Sequence, residues 1–221
     1  MLKYNPLSLV IDQTVLCNEK CFFCWRADSG KVAFASDPTN KPWNHLPWEI
    51  YTAIIDDASQ YPNLTNLSMC GPMGDPTLVP DLELRGMYAS QHFKTRLINT
   101  NGVALDQHSP TGLLKSFTKI NISLDTIRPE TYKAIHGRNH FERVLENIRI
   151  LFEANKTLIT PSKIGLKFTE NKKNKGQVGE VKKWLVESGL ATDKNHTVNP
   201  KEIHSFIDVQ SEITSEHGAK L

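Results

Sequence analysis

Cysteine is scarce in this chain, a net excess of either charge is nearly absent, and long apolar runs are missing, and each shortage removes a class of protein. Four cysteines occur in 221 residues, three of them clustered between positions 17 and 24 with no apolar leader before them, so a disulfide framework of the secreted kind is not expected. Lysine and arginine number 26 against 24 acidic residues, a net charge of +2, which gives little electrostatic reason for a nucleic-acid partner. No stretch approaches the roughly 20 apolar residues that cross a bilayer. A cytoplasmic protein with reduced thiols is the expectation.

Length fits one domain with enough residues to bury a full core. Strand-like apolar runs at Leu7–Ile11, Leu64–Met69, Thr95–Asn99, Lys119–Leu124, Ile164–Phe168 and Glu202–Ile207 alternate with helical periodicity at Pro47–Gln60, Asp81–Gln91, Thr111–Ser116, Pro129–Ile135, Phe141–Ala154 and Val178–Ser188. Alternation of this kind predicts an α/β fold with a parallel sheet, and six units predict a partial (β/α)6 TIM-like barrel rather than a closed eight-unit one. The barrel is expected over residues 1–208, with a polar tail at 209–221. The loop over 28–45, carrying Gly30, Pro38, Pro42 and Trp43, is long enough to be read as a lid, with Trp43 and Trp48 either anchoring it or packing on the domain's own core. Lys172, Lys173, Lys175, Lys182 and Lys183 form the one basic concentration, read mainly as a solvated helix entrance.

Barrel chemistry lies on the loops after the C-terminal ends of the strands, and the distinctive segments of this chain fall there. After the first strand comes Cys17-Asn-Glu-Lys-Cys21-Phe-Phe-Cys24, and after the second comes Cys70-Gly-Pro-Met-Gly74-Asp75-Pro76-Thr77. The third strand ends in Asn99-Thr-Asn101-Gly102, and the fourth carries Ser123-Leu-Asp125. Three thiolates on one loop can hold three irons of a four-iron cluster and leave the fourth iron open, whereas electron-transfer clusters normally have every iron protected by cysteine. A Cys3His zinc site using a histidine such as His45, or inert thiols, are the alternatives, although no pair of CxxC units is present. The glycine turn at Gly74-Asp75-Pro76 lets backbone groups approach a ligand closely.

CxxxCxxC with an aromatic residue before the last cysteine resembles the signature of the radical S-adenosylmethionine (radical SAM) superfamily. Gly74-Asp75-Pro76 is similar to that family's Gly-Glu-Pro segment with Asp75 in place of glutamate, and the stretch from Ile122 to Gly137, continuing over Phe141 to Leu151, resembles the molybdenum-cofactor cyclase and SPASM-type group. The resemblance implies a partial barrel, a 4Fe-4S cluster on Cys17, Cys21 and Cys24, and S-adenosyl-L-methionine on its open iron. It places Phe23 against the adenine, Gly74, Asp75 and Pro76 at the methionyl amino group, and Ser123 and Asp125 near the ribose or methionyl carboxylate. Asn99 and Asn101 fall near the barrel mouth, with helix capping or turn closure as their alternative roles, and Lys167 and Asn171 are further candidates for contact with cofactor or substrate, with a solvated strand residue as the alternative for Lys167.

The family's SPASM and twitch members carry cysteine-rich C-terminal extensions, and here Cys70 alone follows the first motif. No auxiliary four-cysteine cluster is therefore expected within this chain, and Cys70 is a buried structural thiol first and a catalytic candidate second. The barrel mouth is then either open or covered by an accessory protein or a second copy. The reaction expected from the resemblance is reductive cleavage of the cofactor by electrons from a flavodoxin or ferredoxin, with hydrogen abstraction from a ribosomally made peptide. A small-metabolite substrate, activation of a glycyl-radical enzyme, and a non-catalytic metal-binding module remain as alternatives.

Overall fold

The computed structural model describes residues 6–24, 44–70 and 74–190, together with the backbone of 204–207. The lid over 28–45 apart from positions 44 and 45, its Trp43, the stretch 71–73 and the polar tail lie outside the described residues. Six strands, β1 (Ser8–Val10), β2 (Asn66–Ser68), β3 (Thr95–Thr100), β4 (Lys119–Ser123), β5 (Lys163–Glu170) and β6 (His204–Ile207), form one sheet in the order of the sequence, and every neighbouring pair is parallel. Helices α1 (Trp48–Ser59), α2 (Leu82–Ala89), α3 (Pro110–Ser116), α4 (Pro129–His136), α5 (Phe141–Lys156) and α6 (Val178–Glu187) lie between the strands. This is the partial TIM-like α/β barrel that the alternating periods predict.

Register divides the sheet into an apolar face and a polar one. Ile98, Ile120 and Ile164 align across β3, β4 and β5, Ile122 aligns with Leu166, and all five belong to the buried core together with Phe168. Side chains alternate along a strand, so the intervening row of Asn99, Asn121 and Gly165, followed by Ser123 and Lys167, faces the other way. Helices supply the second half of the core from stripes at helical spacing, Tyr51, Ile55 and Ala58 on α1 and Phe141, Val144, Leu145, Ile148, Leu151 and Phe152 on α5.

Element ends follow local chemistry. Pro129 occupies the first turn of α4, where its missing N–H is no loss, and Gly137 ends that helix in the left-handed conformation at φ 66°. Strands β1 and β2 are shorter than the apolar runs that predicted them; Leu7 and Val10 are exposed at the sheet edge, so hydrophobicity there exceeds pairing. Trp48 packs within the domain, 5.9 Å from the Tyr51 ring and 5.6 Å from Tyr88. Buried Arg85 of α2 bonds Asp81 (2.8 Å), Gln13 Oε1 (3.1 Å) and the Leu46 carbonyl (2.7 Å), tying the segment that leaves β1 to the helix layer.

Candidate active site

The cysteine loop begins where β1 ends and is held from two sides. On one side Asp75 N donates to Leu16 O (2.8 Å), and Gly74 lies so close that a Cβ there would collide with the carbonyl oxygens of Thr14 and Leu16. On the other, Lys20 N bonds His136 O (2.8 Å) and Phe22 N bonds Ile135 O (2.9 Å), docking the loop on the last turn of α4. Lys173, one of the basic run, donates to Ala134 O at 2.5 Å and sits 4.0 Å from the Phe22 ring centroid, so this lysine braces the same junction.

Between these supports is a cavity of about 520 Å³ at the C-terminal ends of the strands, a size typical of small-molecule sites. Its walls include Cys17, Cys21, Cys24 and Phe23 from the first loop, Cys70, Gly74 and Asp75 from the second, Asn99 and Asn101 from the third, and Ser123 and Asp125 from the fourth. Pro76 and Lys167 are outside the lining. Pro76 is buried at the start of a 3-10 turn, and Lys167 is half-buried on β5. Asn171 closes a turn with Lys173 N (2.9 Å) and Asn174 Oδ1 (2.7 Å). A second cavity, of about 570 Å³ and including Arg96, Phe117 and Ser162, opens at the N-terminal ends of β3, β4 and β5, away from these loops.

Side chains in the cavity wall divide between those that build it and those that face into it. The Asp75 carboxylate is fully buried and accepts from Thr77 N (3.0 Å), Thr77 Oγ1 (2.5 Å), Thr100 Oγ1 (2.9 Å) and Asn101 N (2.7 Å), so its oxygens are committed to the protein. Asn101 Nδ2 donates to Asn18 Oδ1 (2.6 Å) and approaches Cys17 Sγ at 3.7 Å. Cys70 accepts from Asn99 N (3.0 Å) and Asn99 Nδ2 (2.8 Å), with Ser68 Oγ at 3.3 Å, and Asn121 Nδ2 in turn donates to Asn99 Oδ1 (2.8 Å). Burial raises the Cys70 thiol above its ordinary range despite these contacts.

Several groups of the site had no role in the sequence reading. Glu19, inside the cysteine motif, is buried and accepts from Tyr132 OH (2.7 Å) and from His140 Nδ1 (3.1 Å). His136 Nδ1 lies 3.2 Å from Cys21 Sγ, whereas Asp125, which the sequence already assigned, accepts through Oδ1 from Thr169 N at 2.6 Å. A glutamate within a cysteine motif, and the histidine of Ile135-His136-Gly137, were the available signals; what they touch comes from segments more than 100 residues away. Burial raises the Asp125 carboxyl to about 7 and lowers the His136 imidazole to about 4.

Donor chemistry indicates what the three thiols fit. Burial first, then the neighbouring Cys17, Asp125, Glu19 and Cys24, push the Cys21 thiol well above its ordinary range, because every one of those neighbours opposes a thiolate. A bound cationic centre reverses that balance. Among the described residues, no three histidine, cysteine or acidic side chains converge as one metal ion requires, and His45 is not in the cavity wall. An iron–sulfur cluster takes one thiolate per iron, and thiols spread along one cavity wall suit it better than a tetrahedral zinc.

Comparison with known proteins agrees with this geometry. The family model described as the Radical SAM superfamily matches residues 12–171. A probable GTP 3′,8-cyclase of Methanocaldococcus jannaschii is 28% identical over 158 residues, covering 71% of this chain and 48% of that protein. Another, from Thermococcus kodakarensis, is 26% identical over 196 residues, covering 89% of this chain and 58% of that one. The chain thus spans about half the length of the curated relatives it matches. Among solved structures, Streptococcus suis SuiB bound to S-adenosylmethionine superposes with a TM-score of 0.61 at 17% identity, covering 96% of this chain and 48% of SuiB, and native anSMEcpe with bound AdoMet gives 0.59 at 17% identity, covering 89% and 57%. Members of the matched family use a 4Fe-4S cluster and S-adenosylmethionine, the cofactors this donor set fits. With its match over residues 12–171, this chain belongs to the Radical SAM superfamily.

Proposed function

We propose that this chain is a radical SAM enzyme in which Cys17, Cys21 and Cys24 hold three irons of the cluster and the cavity beside them receives S-adenosylmethionine. The observation that carries this reading is a single cavity whose wall joins the three thiols to the loops after β2, β3 and β4. When bound, the cluster and cofactor together supply a primary-carbon radical able to take hydrogen from an unactivated carbon.

The chain's own residues orient and shield. Gly74 lets the second loop pack against the Thr14 and Leu16 carbonyls where no side chain fits and brings its backbone into the cavity wall, Asp75 holds that loop to Thr100 and Asn101, and Phe23 offers an aromatic surface for an adenine. Ser123 supplies a hydroxyl at the wall for a ribose or carboxylate. The Asp125 carboxyl, raised to about 7 by burial and bonded to Thr169 N, divides between its neutral and charged forms near neutral pH and can accept or donate a hydrogen bond at the wall.

A polar small metabolite is the substrate class this reading favours. Asn99, Asn101, Ser123 and Asp125 place polar groups in the cavity wall, and the curated relatives are named for a nucleotide substrate, GTP. A peptide, the substrate first expected from the sequence, is the second reading; SuiB is solved with its precursor peptide SuiA, a likeness at the level of fold. Electrons would come from a flavodoxin or ferredoxin, and an accessory protein or second copy would cover the mouth.

Anaerobic reconstitution with iron and sulfide, followed by dithionite and S-adenosylmethionine, tests the reading through 5′-deoxyadenosine measured by mass spectrometry. Each of Cys17→Ala, Cys21→Ala and Cys24→Ala should lose the cluster and the product while keeping the wild-type circular dichroism. Retained iron in all three variants would falsify the assignment. Adding GTP or a candidate peptide then separates the two substrate classes by which one stimulates product formation.

A further inference from the structure

The last turn of α4 meets the cysteine loop through contacts that converge on one side chain. The bonds from Lys20 N to His136 O and from Phe22 N to Ile135 O straddle Cys21. Gly137, left-handed at φ 66°, is so near that a Cβ would come 2.8 Å from Lys20 O, so this approach requires glycine. Within that clamp, His136 Nδ1 lies 3.2 Å from Cys21 Sγ. The imidazole is 2% exposed, and its plane is set by the Tyr132 ring at 4.2 Å and 31°, whose hydroxyl is held by Glu19 of the same loop. Nε2 is buried without a hydrogen bond, facing Asp125 Oδ2 at 3.5 Å. Buried side-chain nitrogens are normally satisfied by the fold, and here one touches a sulfur and the other has no partner.

We infer that His136 is a positioning residue for the cluster, its Nδ1–H donating to the Cys21 thiolate and thereby raising the cluster's reduction potential. This rests on the reading of Cys21 as an iron ligand. A thiolate on iron carries no proton and can only accept, so a ring nitrogen at this distance is the donor and the proton sits on Nδ1. Nε2 is then the bare nitrogen, as its lack of a partner fits. Reduction adds negative charge to a cluster, and an N–H dipole aimed at a ligand sulfur stabilises the reduced form more than the oxidised one, the more so in a site of low dielectric. Asn101 Nδ2 stands 3.7 Å from Cys17, a longer and weaker contact of the same kind. The geometry at Cys21 is over-determined by stacking, by two backbone bonds and by a glycine, as a ligand-orienting partner should be.

His136→Phe keeps a ring against Tyr132 and deletes both nitrogens, whereas His136→Asn returns an amide N–H near the position of Nδ1. Wild type and both variants are reconstituted anaerobically, assayed for iron and sulfide, and titrated potentiometrically with EPR detection in the absence of S-adenosylmethionine. All three should bind the cluster; the potential of His136→Phe should move to more negative values, and that of His136→Asn should return toward wild type. A loaded His136→Phe cluster with an unchanged potential overturns the inference and leaves the cluster assignment standing. A wild-type chain that binds no cluster overturns the assignment itself. Pulsed EPR on the reduced wild-type cluster with 15N-labelled histidine needs no variant and should show nitrogen hyperfine coupling through the N–H···S bond. Absence of that coupling overturns the inference even where His136→Phe does not fold.

Discussion

The backbone N–H of Asn101 donates to a carboxylate oxygen of Asp75 at 2.7 Å, and this bond joins the loop after β2 to the loop after β3 across 26 residues of sequence. Thr77 and Thr100 complete the ring of donors around the same carboxylate. Burial raises this carboxyl above its ordinary range even though four donors pull it down. Asp75 therefore builds the cavity wall through its side chain and leaves ligand contact to the backbone beside it.

Replacing Asp75 with asparagine turns one acceptor of a buried donor ring into an NH2 group that faces other donors. Stability should fall by about 1–3 kcal/mol, the usual cost of leaving buried groups unpaired. Denaturant midpoints would be compared with S-adenosylmethionine affinity of the reconstituted protein. Lost affinity at unchanged stability would assign the carboxylate to the ligand instead.

Two glycines should respond in opposite ways to alanine. At Gly74 the new methyl would meet backbone oxygens of Thr14 and Leu16, which cannot rotate aside, so Gly74→Ala should displace the loop and abolish cofactor binding. Gly179, in the first turn of α6, has nothing within 4 Å of a built Cβ, so Gly179→Ala should stabilise the chain by about 0.5–1 kcal/mol through helix propensity and a less flexible unfolded state. Thermal unfolding of both variants, with equilibrium dialysis against labelled cofactor, checks the pair.

Asp125 and His136 give the metal-free protein two opposing pH dependences. Asp125, raised to about 7, keeps a proton in the folded chain that the unfolded chain has released, so its contribution to stability falls as pH rises from about 4 to about 7. His136, lowered to about 4, is neutral when folded and protonated when unfolded, so its contribution rises from about pH 4 to about 6.5. Each slope approaches about 1.4 kcal/mol per pH unit, and in the wild type they largely offset. Asp125→Asn should leave midpoints that rise with pH across this window, and His136→Phe midpoints that fall. Parallel profiles for the two variants would contradict this account.

Glu19 is the loop residue most exposed to a change elsewhere, since Oε2 has no partner and Oε1 depends on Tyr132 and His140. Tyr132→Phe should cost about 1–3 kcal/mol by leaving a buried carboxyl with one donor fewer. Combining it with Glu19→Gln should cost less than the sum of the two single changes, as expected for partners in one bond. A strictly additive double-mutant cycle would show that the 2.7 Å contact contributes nothing to stability.

Much of the architecture was readable from local pattern. The stripe Tyr51, Ile55, Ala58 marks α1 by its helical spacing, and the alternation of Ile120 and Ile122 with Asn121 marks β4 by its period of two. Strand ends were less legible at β1, where Leu7 is apolar yet exposed, because hydrophobicity reports burial and pairing together. Besides the three cysteines, Phe23, Cys70, Gly74, Asp75, Asn99, Asn101, Ser123 and Asp125 line the cavity while Pro76, Lys167 and Asn171 do not, since a barrel sends successive loops to one end.

The sequence by itself determined the thiol spacing, the order of the βα units and the loops on which polar residues would gather, because each depends on residues within a few positions of one another. Tertiary structure alone decided that Asp75 faces inward to two threonines and an amide, that Glu19 meets Tyr132, and that His136 reaches Cys21 across 115 residues. Burial and charge act through space over a few ångströms, and the pairs that set this site's electrostatics become neighbours only when α4 docks against the loop that follows β1.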